Sequence, residues 1–160
     1  MKRVVITGAG TINALAHNVP DTLKAMAEGR CGIGQLVMQD VERLSVQIGA
    51  QVQGFEPEKL FNRQQLSLFD RFTQFTLIAA REAIAQSGLF FAGDLAARAG
   101  VVMGTSGGGL NTQDENYRVV YEEGKNRVHP FVVPKLMNNA AASHVSMEFN
   151  LKGPSFTVAS

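Results

Sequence analysis

Apolar and polar positions along this chain switch between two periods, and the switches predict its elements. Arg3-Val4-Val5-Ile6-Thr7 is a short apolar run closed by Gly8-Ala9-Gly10, which predicts a buried strand and a tight turn. Asn18 before Val19-Pro20-Asp21 reads as a helix start, with Asn18 as cap, Pro20 in the first turn and a stop at Gly29. Residues 45–52, Ser-Val-Gln-Ile-Gly-Ala-Gln-Val, alternate as a half-exposed strand would. Leu68, Phe72, Phe75, Ala79 and Ala83 recur at spacings of three and four, predicting a long helix with one apolar stripe and a stop at Gly88.

The second half repeats the rhythm. Residues 99–103 predict a strand, residues 104–109 a glycine-rich turn, and residues 113–123 a polar helix. His129-Pro130-Phe131-Val132-Val133-Pro134 is excluded from a helix interior, because each proline removes a ladder hydrogen bond. From Pro134 the pattern is helical again, and Ala140-Ala141-Ala142-Ser143 offers a small face to a neighbouring backbone. Gly153-Pro154 ends that element, and residues 155–160 read as a strand. Alternating strands and helices predict a layered α/β fold.

Composition narrows the class. Apolar residues make up 45% and charged residues 18%, which excludes a disordered chain, and a net charge of +1 leaves no footprint for nucleic acid. No apolar run approaches the roughly 20 residues of a membrane span, and residues 1–6 lack a signal-peptide pattern. A single cysteine, Cys31, excludes an internal disulfide. Together these predict a cytoplasmic protein with no nucleic-acid and no membrane partner.

Residue chemistry inside the chain is sparse. Gly8-Ala9-Gly10 resembles the opening of a dinucleotide fingerprint, but Asn13 stands where the third glycine belongs and no helix opens promptly, so a structural turn is favoured. Residues 105–109 lack the Lys-Ser/Thr ending of a phosphate loop. His17, His129 and His144 are scattered without metal-ligand spacing. Cys31 has no activating base nearby, which favours a buried, inert thiol. Acidic residues show no paired-carboxylate pattern.

Several stretches together resemble the β-ketoacyl-acyl-carrier-protein synthases, the thiolase-like condensing enzymes, and in particular their elongating, synthase II-like members. These are Arg3-Val4-Val5-Ile6-Thr7-Gly8-Ala9-Gly10, Gly29-Arg30-Cys31-Gly32-Ile33, Asp70-Arg71-Phe72-Thr73-Gln74-Phe75 and residues 101–109. Pro130-Phe131-Val132-Val133-Pro134 and Gly153-Pro154-Ser155-Phe156-Thr157-Val158-Ala159-Ser160 complete the set. The similarity covers nearly the whole chain in the family's order.

The resemblance implies a thiolase-like layered α/β/α fold, with residues 1–160 as its amino-terminal part and the carboxy-terminal half absent. It implies fatty-acid or polyketide chain elongation by decarboxylative condensation of an acyl thioester with malonyl-acyl carrier protein. No residue of this chain is then catalytic. The nucleophilic cysteine is expected about two residues past Ser160, at a helix start that favours the thiolate, so these residues alone are expected to be inactive. No cofactor is bound by the enzyme, since the phosphopantetheine arm arrives on the carrier protein. Members are usually homodimers whose pre-cysteine strand pairs across the two-fold axis, which here places Phe156, Val158 and Ser160 at the interface. The positions matching Gly107 and Val132 line the acyl tunnel, and their modest size implies a tunnel without a side-chain gate.

Two departures bear on partners. After the first strand the family's Gly-x-x-Ser-Pro-x-Gly is replaced by Gly10-Thr11-Ile12-Asn13-Ala14-Leu15-Ala16. The basic helix start that contacts acidic carrier protein in many members retains only Arg63, while Lys125 and Arg127 keep the loop before Pro130 basic. These three are candidate docking residues, with plain solvated charge as the other reading. A non-catalytic, chain-length-factor-like relative of the same fold is the alternative; the residue at the nucleophile position separates the two.

Overall fold

The computed structural model describes residues 3–160, and Met1 and Lys2 lie outside the described residues. It forms two compact units: one holds the residues up to Glu56 with Ile78–Gly88, the other Pro57–Leu77 with Leu89–Ser160.

In the first unit, helix α1 (Val19–Ala27) starts as its sequence predicts. The Asn18 side chain accepts from the Asp21 N–H at 2.8 Å, and Pro20 sits in the first turn, where no intrahelical N–H is needed. Gly29 ends it with φ +67°, a left-handed conformation that glycine adopts without steric cost. The expected strand at residues 45–52 shrinks to β2 (Ile48–Gly49), paired antiparallel with β1 (Gly34–Gln35).

Residues 3–7 are not a strand. Among the described residues no ladder runs beside them, and Val4 and Ile6 are 98% and 92% exposed. An apolar run becomes a buried strand only where a partner strand satisfies its backbone. The following glycines do find a partner, in the carboxy-terminal part of helix α3. A side chain at Gly8 would sit 2.0 Å from the Ala83 carbonyl oxygen, and one at Gly10 1.9 Å from that of Ala79. Glu82 fixes this approach, accepting from Thr11 N–H at 2.9 Å and Val19 N–H at 2.8 Å.

In the second unit, α2 (Arg63–Leu68) is opened by a capping box between Asn62 and Gln65 and ends at Phe69, whose backbone is extended (φ −106°, ψ 123°). The expected stripe beginning at Leu68 is therefore split: α3 (Arg71–Ser87) starts anew after Phe69-Asp70, and within Arg71–Leu77 the buried residues are Thr73, Gln74 and Leu77. Gly88 (φ +65°) follows the helix as expected. After α4 (Gly93–Arg98), β3 (Val101–Thr105) leads through a glycine-rich loop to α5 (Leu110–Tyr121).

Helix α6 (Val132–Leu136) starts two residues before Pro134, from which the helical pattern was expected, and keeps residues 129–134 out of a helix interior. Pro134 occupies its third position, inside the first turn, where backbone N–H groups have no intrahelical acceptor to lose. Helix α7 (Ala140–Glu148) then presents Ala140, Ala141, Ala142 and Val145, all buried, and packs on β3 and on β4 (Ser155–Ala159). Strands β3 and β4 are parallel, with Val102 opposite Phe156 and Gly104 opposite Val158.

His144 of α7 lies against Phe69 with ring centroids 4.4 Å apart and ring planes tilted by 59°. Desolvation holds its pKa below the ordinary value of 6.5, against the opposing pull of Glu148. The folded state thus favours the neutral ring, and the unfolded chain binds the proton at higher pH. Stability from this site is complete above about pH 6.5 and is lost as pH falls through that value toward the folded pKa. Melting the complete protein from about pH 8 to about pH 5 will show a decline that His144→Gln reduces. Parallel curves for the two proteins would refute the assignment.

Candidate functional site

Candidate residues fall into three places in the second unit. The first is the glycine-rich loop after β3. Gly107 is half-buried, and its φ lies outside the left-handed region, which Gly108 occupies with φ +63°. The missing Gly107 side chain is replaced in space by Leu110, whose δ and γ carbons lie 3.0–3.1 Å from where a Cβ would be. Leu110, three residues on in the first turn of α5, is the neighbour that the sequence reading of Gly107 did not name.

The second place is a cavity of about 490 Å³ bordered by α5, α6 and the loop between them. Val132 lines it together with Lys125 and Arg127, so a candidate tunnel residue and two candidate docking residues meet there. Lys135 and His129 line it as well, against Glu115 as its acidic lining residue, which biases the cavity toward anions. Lys135 lies one helical turn after Val132 on α6, a spacing that could have revealed it from sequence. Lys125 is also ion-paired with Glu123. Arg63 is exposed at the start of α2 and does not line this cavity.

The third place is the outer face of β4. Phe156 and Val158 are 52% and 56% exposed and alternate with Thr157, while Ser160 continues the ladder through its N–H to the Thr105 carbonyl at 3.3 Å. Val102 of β3 joins the same apolar face.

Elsewhere the structure revises the isolated motifs. Asn13, at the would-be fingerprint glycine, organises a turn: its Oδ1 accepts from Leu15 N–H at 2.8 Å and its Nδ2 donates to Thr11 and Thr22 hydroxyls at 3.0 Å. Residues 14–18 stay irregular, so no helix opens directly after Gly8-Ala9-Gly10. Cys31 is exposed rather than buried, because the turn after Gly29 carries it to the surface, where its Sγ accepts from Ile33 N–H at 3.4 Å. Among the described residues no group of three His, Cys, Asp or Glu could hold a metal ion, and no helix is long and apolar enough to cross a membrane.

A parallel strand pair, a glycine-rich loop leaving the first strand and a small-residue helix packed on both belong to the thiolase-like α/β fold of ketosynthases. Residues 1–160 match the family described as Beta-ketoacyl synthase, N-terminal domain, and the chain belongs to that family.

Among curated relatives, Nodulation protein E of Rhizobium sp. strain N33 is 40% identical over 159 residues, 99% of this chain and 39% of that protein. The 3-oxoacyl-[acyl-carrier-protein] synthase 2 of Coxiella burnetii is 32% identical over 157 residues, 98% of this chain and 38% of that protein. The chain thus spans about two fifths of the length of these relatives. The solved ishigamide ketosynthase/chain length factor has the same fold, with a TM-score of 0.84 at 22% identity over 99% of this chain and 40% of its own.

Proposed function

We propose that the complete protein elongates acyl chains by decarboxylative condensation. An acyl group passes from a carrier-protein thiol to a cysteine that follows β4, giving a thioester. A malonyl group on a second carrier loses carbon dioxide, and the resulting carbanion attacks the thioester carbonyl and expels the cysteine thiolate. The observation that carries this reading is the match to synthase 2 relatives over nearly every residue of the chain. The reading includes a homodimer formed through the face of Phe156 and Val158, a cytoplasmic location and no enzyme-bound cofactor, because the phosphopantetheine arm belongs to the carrier. Incubating the complete protein with acyl- and malonyl-carrier protein will release carbon dioxide and yield the chain-extended β-ketoacyl thioester. Failure to form that product overturns the reading in favour of the chain-length-factor-like alternative.

Carrier docking is assigned to Lys125 and Arg127, with Arg63 as a separate contact. Neutralising Lys125 and Arg127 together will weaken carrier binding about tenfold at low ionic strength and much less at high salt, where surface attraction is already screened. Neutralising Arg63 alone will have the smaller effect. Titration calorimetry at two salt concentrations measures both, and unchanged affinity at low salt would place the docking surface elsewhere.

A further inference from the structure

We propose that Asp70 is a positioning residue that fixes the glycine-rich loop and Gly107 by capping two helices at once; its effect on acyl-chain selection rests on the functional reading above. Asp70 is 4% exposed. Its Oδ1 accepts from the Phe72 N–H at 3.1 Å, capping α3. Its Oδ2 accepts from the Thr112 N–H at 2.7 Å and the Thr112 hydroxyl at 2.6 Å, in the first turn of α5. Helix α5 cannot cap itself in this way, because its N-cap residue is Gly109, which has no side chain. A carboxylate facing two helix amino termini is favoured by both dipoles, and its three acceptor contacts hold those termini in register.

The loop is held on its other side by α6 and the residues after it. Gly109 N–H donates to the Leu136 carbonyl at 3.1 Å. Side chains at Gly108 and Gly109 would come within 2.5 Å of the Leu136 oxygen and 2.6 Å of the Lys135 oxygen. The Cγ of Asp70 lies 3.2 Å from where a Gly109 Cβ would be. Residues 108 and 109 are therefore clamped between backbone and Asp70, with little freedom while both sides remain. Leu110 opens α5 and flanks Gly107, so any shift of the α5 amino terminus moves both. Only an acyl chain long enough to reach this loop can sense that shift.

The test uses the complete protein with Asp70→Asn, Thr112→Val and Thr112→Ser. Thr112→Val deletes one hydrogen bond at constant shape, whereas Thr112→Ser keeps the hydroxyl. Expected are faster amide exchange at residues 107–112 and a fall of about tenfold in the ratio of long-chain to short-chain acylation for Asp70→Asn and Thr112→Val, with Thr112→Ser close to wild type. Leu77→Val, in the same helix but away from Asp70, will lower the thermal midpoint and leave the ratio unchanged. An unchanged ratio in Thr112→Val, or an equal fall in Leu77→Val, overturns the proposal. Should Asp70→Asn fail to fold, the Thr112 pair decides. Wild-type protein that takes up no acyl group would sink the functional reading and the selectivity claim with it. Unaltered exchange at residues 107–112 in Thr112→Val would remove the clamp in either case.

Discussion

Gly10→Val lowers the stability of the complete protein by more than about 3 kcal/mol, enough to bring a marginal domain close to unfolding. The new Cβ would lie 1.9 Å from the Ala79 carbonyl oxygen, 2.8 Å from its carbon and 2.9 Å from the Ala83 nitrogen. All three are backbone atoms of a hydrogen-bonded helix, so no side chain can swing aside. Relief requires residues 8–11 to lift away, which breaks the bonds from Ala9 N–H to Gln86 and from Thr11 N–H to Glu82. Gly8→Val will act similarly, with its clash at Ala83. Gly34→Ala is the control: nothing lies within 4 Å of its added Cβ and its φ is not positive, so the change stays within about 0.5 kcal/mol. Denaturant midpoints measure all three, and a Gly10→Val midpoint equal to that of Gly34→Ala would refute the close approach.

On the function proposed above, Gly107→Ile slows acylation by long-chain carrier thioesters roughly 10- to 100-fold while short-chain rates change little, the cost of overpacking one end of the proposed chain-binding space. Two observations separate this outcome from general damage. Gly107 does not need the left-handed backbone that its neighbour Gly108 adopts, so a β-branched residue brings no positive-φ strain. The atoms that an added Cβ meets are the δ and γ carbons of Leu110, a side chain 57% exposed and free to rotate outward. The fold therefore tolerates the change, and on the function proposed above the added bulk narrows the acyl tunnel. Acyl-enzyme formation followed by mass spectrometry across a chain-length series tests it. A uniform loss at every length would remove Gly107 from the tunnel.

Legibility in the sequence followed locality. The start of α1 at Asn18-Val19-Pro20, its end at Gly29, the stop of α3 at Gly88 and the strand after Gly153-Pro154 were all readable, because caps and breakers act within one turn. The alanine face of residues 140–142 was readable as a close-packing surface for the same reason. The break between α2 and α3 at Phe69-Asp70 was not, since apolar periodicity continues across it and only the extended backbone of Phe69 and the Asp70 contacts reveal two helices. Family similarity supplied the candidate site at Gly107 and Val132, while nothing in the spacing of Lys125, Arg127 and His129 showed that they line one cavity with Val132 and Lys135.

The sequence by itself determined the layered α/β class, the order of most elements and the family, since these depend on local periodicity and on motifs held in linear order. Tertiary structure decided what each motif does. Residues 3–7 have the composition of a buried strand but no ladder among the described residues, because pairing belongs to two segments and not to one. Gly8 and Gly10 read as a structural turn, and only the fold shows that they serve the approach of backbone to helix α3. Asp70 falls within the helix that the stripe from Leu68 predicts, and only folding brings Thr112, 42 positions away, onto its carboxylate. A buried polar group must find its partner wherever the fold supplies one, and that requirement leaves no trace in the order of residues along the chain.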